Sequence, residues 1–237
     1  ESVYYDYNSK FIFVSNISGD GIDKDGKGWI QKLSSTGKLI KSKWVDGLNA
    51  PKGMRADKGV LWVTDIDTVV SISISNGKIL EQIKIPNAQF LNDIAISASG
   101  EVFVSDTIGR SIYKIKKSKA EVFLEGDETE SPNGLLIQNG KLIVAAWGLA
   151  EKNWSTKIPG HLYSIDLKTK TKTIITKKPL GNLDGLELAK DGNYLVSDWM
   201  AGLIYKVTPD GEVTNIPVKN EAGIADIGYI GSSDTLL

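Results

Sequence analysis

The chain reads as an all-β protein, a six-bladed β-propeller of four-stranded antiparallel blades that occupies residues 1–237 as a single domain. Three observations lead there. A short strand pattern recurs along the whole length, a second anchor precedes it at a constant phase, and successive anchors stand 40 to 51 residues apart. All-strand repeats of that period are the mark of propeller blades.

The recurring strands are FIFVSN (11–16), LWVTD (61–65), VFVSD (102–106), LIVAAW (142–147) and YLVSDW (194–199). Each is rich in β-branched and aromatic residues and follows a turn signal such as SASG, QNG or KDG. A further strand comes after most of them (WIQKL, VVSISI, SIYKI, HLYSID, LIYKV), and turns such as Thr36-Gly37, Asn76-Gly77 and Asp210-Gly211 lead into another. The pattern is an antiparallel meander without an amphipathic helix. The second anchor reads Glu1-Ser2-Val3, Lys52-Gly53-Met54, Asn92-Asp93-Ile94, Asn133-Gly134-Leu135, Asp184-Gly185-Leu186 and Ala225-Asp226-Ile227.

Two long spacings come from insertions at 17–28 and 148–160, both expected as surface loops able to overhang the channel. The last blade is expected to be incomplete. After Ala225 there is one strand and the start of another, about 20 residues short of a full repeat. The chain is therefore read as truncated, or as completed by another segment.

With 237 residues and 41% hydrophobic content, the chain can bury a sizeable core. Its net charge of -1, with both signs interspersed, argues against nucleic acid as a partner. No apolar run approaches the roughly 20 residues that span a bilayer. The absence of cysteine removes disulfides, thiolate zinc sites and cysteine nucleophiles. An opening on Glu1 rather than methionine suggests a removed leader, which tilts the location from cytoplasm toward periplasm or secretion.

The innermost strand of each blade lines the channel of a propeller. The anchors should therefore set Glu1, Lys52, Asn92, Asn133, Asp184 and Ala225 around one mouth. Two carboxylates and two amides make an oxygen-rich site of the kind hard divalent cations take, with Ca2+ the expected ion and Mg2+, Mn2+ or Zn2+ the alternatives. The competing reading is that Asn and Asp before Gly serve only their local turns.

The strings SPNGL (131–135), NLDGLEL (182–188), FLNDIAI (90–96) and ESVYYD (1–6) resemble motifs of the regucalcin/gluconolactonase family. The resemblance implies a six-bladed propeller that holds a divalent cation in its channel and hydrolyses lactones or related esters. By it, Glu1, Asn133 and Asp184 are metal ligands, Asn92 contacts metal or substrate, and Asp184 doubles as the general base. Lys52 adds a cation to the ring, placed to bind an anionic substrate or to compete with the metal.

Other signals are discounted. His161 is the only histidine and is read as structural or on the surface, and no Gly-x-Ser-x-Gly elbow is present. Asp23-Lys24-Asp25-Gly26 is read as a solvated turn, and Asp65, Asp106 and Asp198 as residues that bond turns between strands. Of the six tryptophans, Trp62, Trp147 and Trp199 are assigned to blade packing, and Trp154 is the one expected to touch substrate. The expected function is hydrolysis of a small lactone or ester; the alternative is a non-catalytic propeller that binds a protein, glycan or small ligand.

Overall fold

A computed structural model describes residues 1–151, 154–218 and 223–237. The repeated strings form the second strand of successive meanders. Blade 1 comprises Ser2–Asp6, Phe11–Asn16, Gly28–Ser34 and Leu39–Leu48. Blade 2 comprises Pro51–Asp57, Val60–Asp65, Thr68–Ser73 and Ile79–Lys84. Blade 3 comprises Leu91–Ile96, Val102–Asp106, Ser111–Lys116 and Lys119–Glu125. Blade 4 comprises Pro132–Gln138, Lys141–Ala146, Leu162–Asp166 and Lys172–Ile174, with the hairpin Gly148–Ala150 and Thr156–Pro159 inserted in its middle. Blade 5 comprises Leu183–Leu188, Tyr194–Asp198, Leu203–Val207 and Val213–Ile216.

Within each blade the strands pair in sequence order, and the first strands of neighbouring blades pack together around the axis. Two-residue turns set the register. Asn139 and Gly140 both take positive φ (51° and 75°), the geometry that lets a hairpin close without splaying its right-twisted strands. The core lies between blades. Phe13, Trp44, Met54, Leu61 and Val63 pack together where blades 1 and 2 meet, and Phe103, Leu135, Leu142 and Tyr163 do so between blades 3 and 4.

The sixth position differs from the expected partial meander. Residues 223–228 carry no ladder, and the only strands after them are Tyr229–Ile230 and Thr235–Leu236. The segment is nevertheless wedged into the ring. Ser2 Oγ donates to Asp226 Oδ2 at 2.5 Å, and the Gly185 Cα lies so close that an added Cβ would meet Ile227 N at 2.5 Å. Pairing with an outer strand begins only at Gly228, which exchanges both backbone hydrogen bonds with Leu237.

Of the aspartates that close the second strands, Asp65 and Asp106 hold the chain as it enters the inner strand of their own blade, and Asp198 bonds the turn and strand that follow it. Asp65 accepts from Asn49 N and Ala50 N at 2.9 and 2.7 Å. Asp106 accepts from Gln89 N, Phe90 N and Gly109 N at 2.9, 2.8 and 2.9 Å. Asp198 takes the N–H of Ala201 and the hydroxyl of Tyr205.

The channel is plugged by charge. Arg55, on the inner strand of blade 2, crosses to blade 5, where its Nη2 lies 3.2 Å from both Glu187 Oε1 and the Leu186 carbonyl oxygen. Asp93 Oδ2 is 4.0 Å from the same nitrogen. Burial alone would lower the affinity of Arg55 for its proton, but Glu187, Asp93 and Asp226 more than reverse that. The carboxylates outnumber their partner. Burial and then the charge of Asp226 raise Asp93, burial raises Asp226 against the pull of Arg55, and burial, opposed by Arg55 and aided by Asp226, pushes Glu187 up to about 7.

Three outcomes are expected. Asp106→Ala strands three part-buried N–H groups and should cost about 2–3 kcal/mol in denaturant unfolding. Arg55→Met leaves the carboxylates uncompensated and should cost about 3–5 kcal/mol, partly recovered by adding Glu187→Gln. Because Glu187 binds its proton more tightly folded than unfolded, its stabilising contribution is complete below pH 4.5 and lost as pH rises through about 7. Unfolding midpoints should therefore fall across that window, and Glu187→Gln should flatten the fall.

Candidate functional site at the channel mouth

The ring positions owe their direction to a repeated backbone irregularity. In blades 2 to 5 the pairing of first and second strands skips, so that two residues oppose one. The pairs are Lys52-Gly53 against Thr64, Asn92-Asp93 against Ser105, Asn133-Gly134 against Ala145 and Asp184-Gly185 against Ser197. Such β-bulges re-aim a side chain off the sheet. Second-strand hydroxyls hold two of these bulges, with Thr64 reaching across to the bulge of the neighbouring blade. Ser105 Oγ accepts from Asp93 N at 2.9 Å, Ser197 Oγ accepts from Gly185 N at 2.7 Å, and Thr64 Oγ1 donates to the Asn92 carbonyl at 2.5 Å. Glycine follows Lys52, Asn133 and Asp184 because neighbouring inner strands pass too close for a Cβ; one on Gly134 would sit 2.2 Å from the Asp184 carbonyl oxygen.

The mouth holds a cavity of about 420 Å³ bordered by Glu1, Asn92, Asn133 and Asp184 from the ring. The remaining wall comprises Asp20 and Gly21 from the first insertion, Trp154 from the second, and Phe90, Trp147, Trp199 and Met200. Asp184 is buried, and its carboxyl is held well above the ordinary range by burial first and then by the charges of Glu1, Asp226 and Asp93. A hydrogen bond from Asn133 pulls it back in part. Asn133 is itself buried, and its Oδ1 has no partner. Asn92 turns its amide toward Thr107 Oγ1 at 3.4 Å.

Among the described residues no three His, Cys, Asp or Glu side chains are grouped to hold an ion. The cation site expected from the sequence contains only two such side chains, Glu1 and Asp184, with Asn133 and Asn92 supplying neutral oxygens. That donor set fits a hard cation, and the unpartnered Asn133 Oδ1 is a vacant acceptor within it.

Two ring residues stay outside the cavity wall. Lys52 is fully buried, and its ammonium donates to the carbonyls of Gly21 and Ala50 at 2.8 and 2.9 Å while lying 4.2 Å from the Phe90 ring centre. Burial lowers it to about 8, against the raising pull of Glu1, Asp65 and Asp20. The lysine thus fastens the first insertion. Ala225 has no polar side chain and receives Ser197 Oγ on its carbonyl at 2.7 Å.

The aromatic wall requires a correction. Trp147 and Trp199, assigned to blade packing, line the cavity with Trp154. Ring centres of Trp147 lie 5.6 Å from Trp154 and 5.9 Å from Trp199, and Phe90 lies 5.0 Å from Trp154. Their position just past the second strand, where the chain leaves the blade at the mouth, was the available signal. The second insertion folds back as the Gly148–Pro159 hairpin, tied down by Trp147 Nε1 donating to the Trp154 carbonyl at 3.0 Å and by Asn182 Nδ2 donating to Thr156 Oγ1 at 2.9 Å. Residues 152 and 153 of that insertion lie outside the described residues. His161 does not border the cavity, and its Nδ1 pairs with Glu130 at 2.8 Å.

No protein-family model and no curated protein matches the sequence. Among solved structures, the chain is similar to virginiamycin B lyase from Staphylococcus aureus, with TM-score 0.61 and 18% identity over 95% of this chain and 66% of that one. It is similar to a streptogramin B lyase with TM-score 0.67 and 15% identity, covering 99% of this chain and 88% of the other. A chain of a nidogen/laminin complex aligns with TM-score 0.69 and 17% identity over 88% and 81% of the two chains. At these identities the likeness shows the fold, and the chain is an all-β propeller built of four-stranded antiparallel blades.

Proposed function

We propose that the chain is a metal-dependent hydrolase of small lactones or related esters, acting at the channel mouth of a six-bladed propeller in which residues 225–237 belong to the sixth blade. The observation that carries this reading is the buried, unpartnered Asn133 Oδ1 beside a buried Asp184 whose carboxyl is crowded by other negative charge. A buried acceptor without a partner costs about 1–3 kcal/mol. A divalent cation on Glu1, Asn133 and Asp184, with Asn92 alongside, would satisfy that oxygen and offset the repulsion. Calcium suits the mixture of carboxylate and neutral oxygens best. Such an ion supplies polarisation of the scissile carbonyl and stabilises the charge that develops on its oxygen.

The chain's own groups provide the rest. Asp184 is placed to take a proton from attacking water. A carboxylate next to a cation is ordinarily a weak base, but Glu1, Asp226 and Asp93 act on Asp184 in the opposite direction and favour its protonation. Phe90, Trp147, Trp154 and Trp199 give the substrate an apolar wall that excludes water around the reacting ester. The motif resemblance to the gluconolactonase family and the structural likeness to virginiamycin B lyase, an enzyme, both support a catalytic channel.

A panel of small lactones and esters assayed with calcium, manganese, zinc or chelator tests this. Turnover should require the ion, and Asp184→Asn should lower kcat by about 10²-fold or more. Metal-independent turnover, or an Asp184→Asn variant as active as the parent, would remove the proposal.

A further inference from the structure

The wall of the channel-mouth cavity combines indoles with acidic side chains, and exclusion of water from an ester requires only its apolar part. Three indoles meet there at steep angles, Trp147 with Trp154 at 72° and with Trp199 at 47°. Trp147 is buried and packs against both of the others, which leaves Trp154 and Trp199 as the more open indoles of the wall. Trp154 is also held at φ 65°, a left-handed conformation that costs a bulky residue about 1 kcal/mol or more.

The titratable side chains in the same wall are all acidic. Glu1, Asp20 and Asp184 border the cavity, and no Lys, Arg or His does so among the described residues. The Lys52 ammonium is turned onto the carbonyls of Gly21 and Ala50 and over the Phe90 ring, and the α-ammonium of Glu1 donates to the Ser15 carbonyl at 3.3 Å. Asp20 is exposed, and no lysine or arginine forms an ion pair with it among the described residues. The buried Asn133 Oδ1, without a partner, marks the same cavity as one built to receive a ligand.

Indole faces attract a weakly hydrated organic cation, within about 6 Å of the ring centre, far better than a neutral group of the same shape. A metal dication keeps its water or takes oxygen ligands and gains little from indole. We propose that Trp154 and Trp199, backed by Trp147, bind an organic ammonium group, quaternary or bulky tertiary, with Asp20 and Glu1 as its counter-charges. The inference rests on the channel mouth being the ligand site and not on hydrolysis. On the hydrolase reading, the preferred ester or lactone carries such a cation.

The test compares choline with its uncharged isostere 3,3-dimethylbutan-1-ol, following tryptophan fluorescence of the full chain with calcium and with chelator. Choline should give saturable quenching and bind about tenfold or more tightly than the isostere. Asp20→Asn, in an exposed loop that does not enter the core, should weaken choline by about fivefold and leave the isostere unchanged. Trp154→Leu should weaken choline about tenfold. Equal binding of the two probes, no saturable choline binding, or an Asp20→Asn variant with parental affinity for choline would overturn this proposal. Lactone turnover without choline preference overturns this inference alone; choline binding without any metal-dependent turnover overturns the hydrolase alone.

Discussion

Where the inner strands converge on the axis, two residues of one strand oppose one of the next, and most of what the molecule presents at its channel mouth depends on that skip. A regular ladder would alternate side chains between the two faces of each blade, where they pack against neighbouring blades. The bulge breaks the alternation for one residue and releases its side chain into the channel. Hydroxyls on the second strand hold the bulged backbone, and the glycines after Lys52, Asn133 and Asp184 let adjacent blades close over it. Ring and fold are thus one construction: the packing that brings the blades together leaves room only for the atoms that face inward.

Convergence also concentrates charge. Each inner strand adds its own polar group to a narrow buried space, and the additions do not cancel. Asp93, Asp226 and Glu187 surround Arg55, and Asp184 and Glu1 lie above them in the same field. In a region of low dielectric the charge of Asp226 raises Asp93, Asp184 and Glu187 together. The structural plug and the candidate site are therefore electrostatically continuous, and the plug contributes to the basicity of Asp184. A buried ion group of this kind adds little net stability, yet losing one partner is costly because the others remain.

The insertions complete the site in a different manner. The first brings Asp20 and Gly21 to the mouth and is fastened by Lys52; the second folds back as a hairpin that lays Trp154 against Trp147. Neither belongs to the repeat. A propeller supplies a rigid ring, and segments added to its rim can vary what the ring recognises without disturbing the blades.

The repeat was legible in the chain itself. Strand alternation, turn dipeptides and the even spacing of the anchors follow from local backbone chemistry, and they determined the meanders, their order and the phase that groups Glu1, Asn92, Asn133 and Asp184. The role of Asp65, Asp106 and Asp198 as clasps could likewise be read from their place after a buried strand. Only the tertiary structure decided what depends on the distance between blades. Arg55 and Glu187 each stand three residues beyond a ring position, but local sequence does not say that one guanidinium crosses the channel to meet the other strand. The direction of the Lys52 side chain, taken up by a loop carbonyl, and the gathering of Trp147 and Trp199 with Trp154 were hidden for the same reason. These contacts join residues far apart in the chain, and their geometry exists only once the inner strands have closed around the axis.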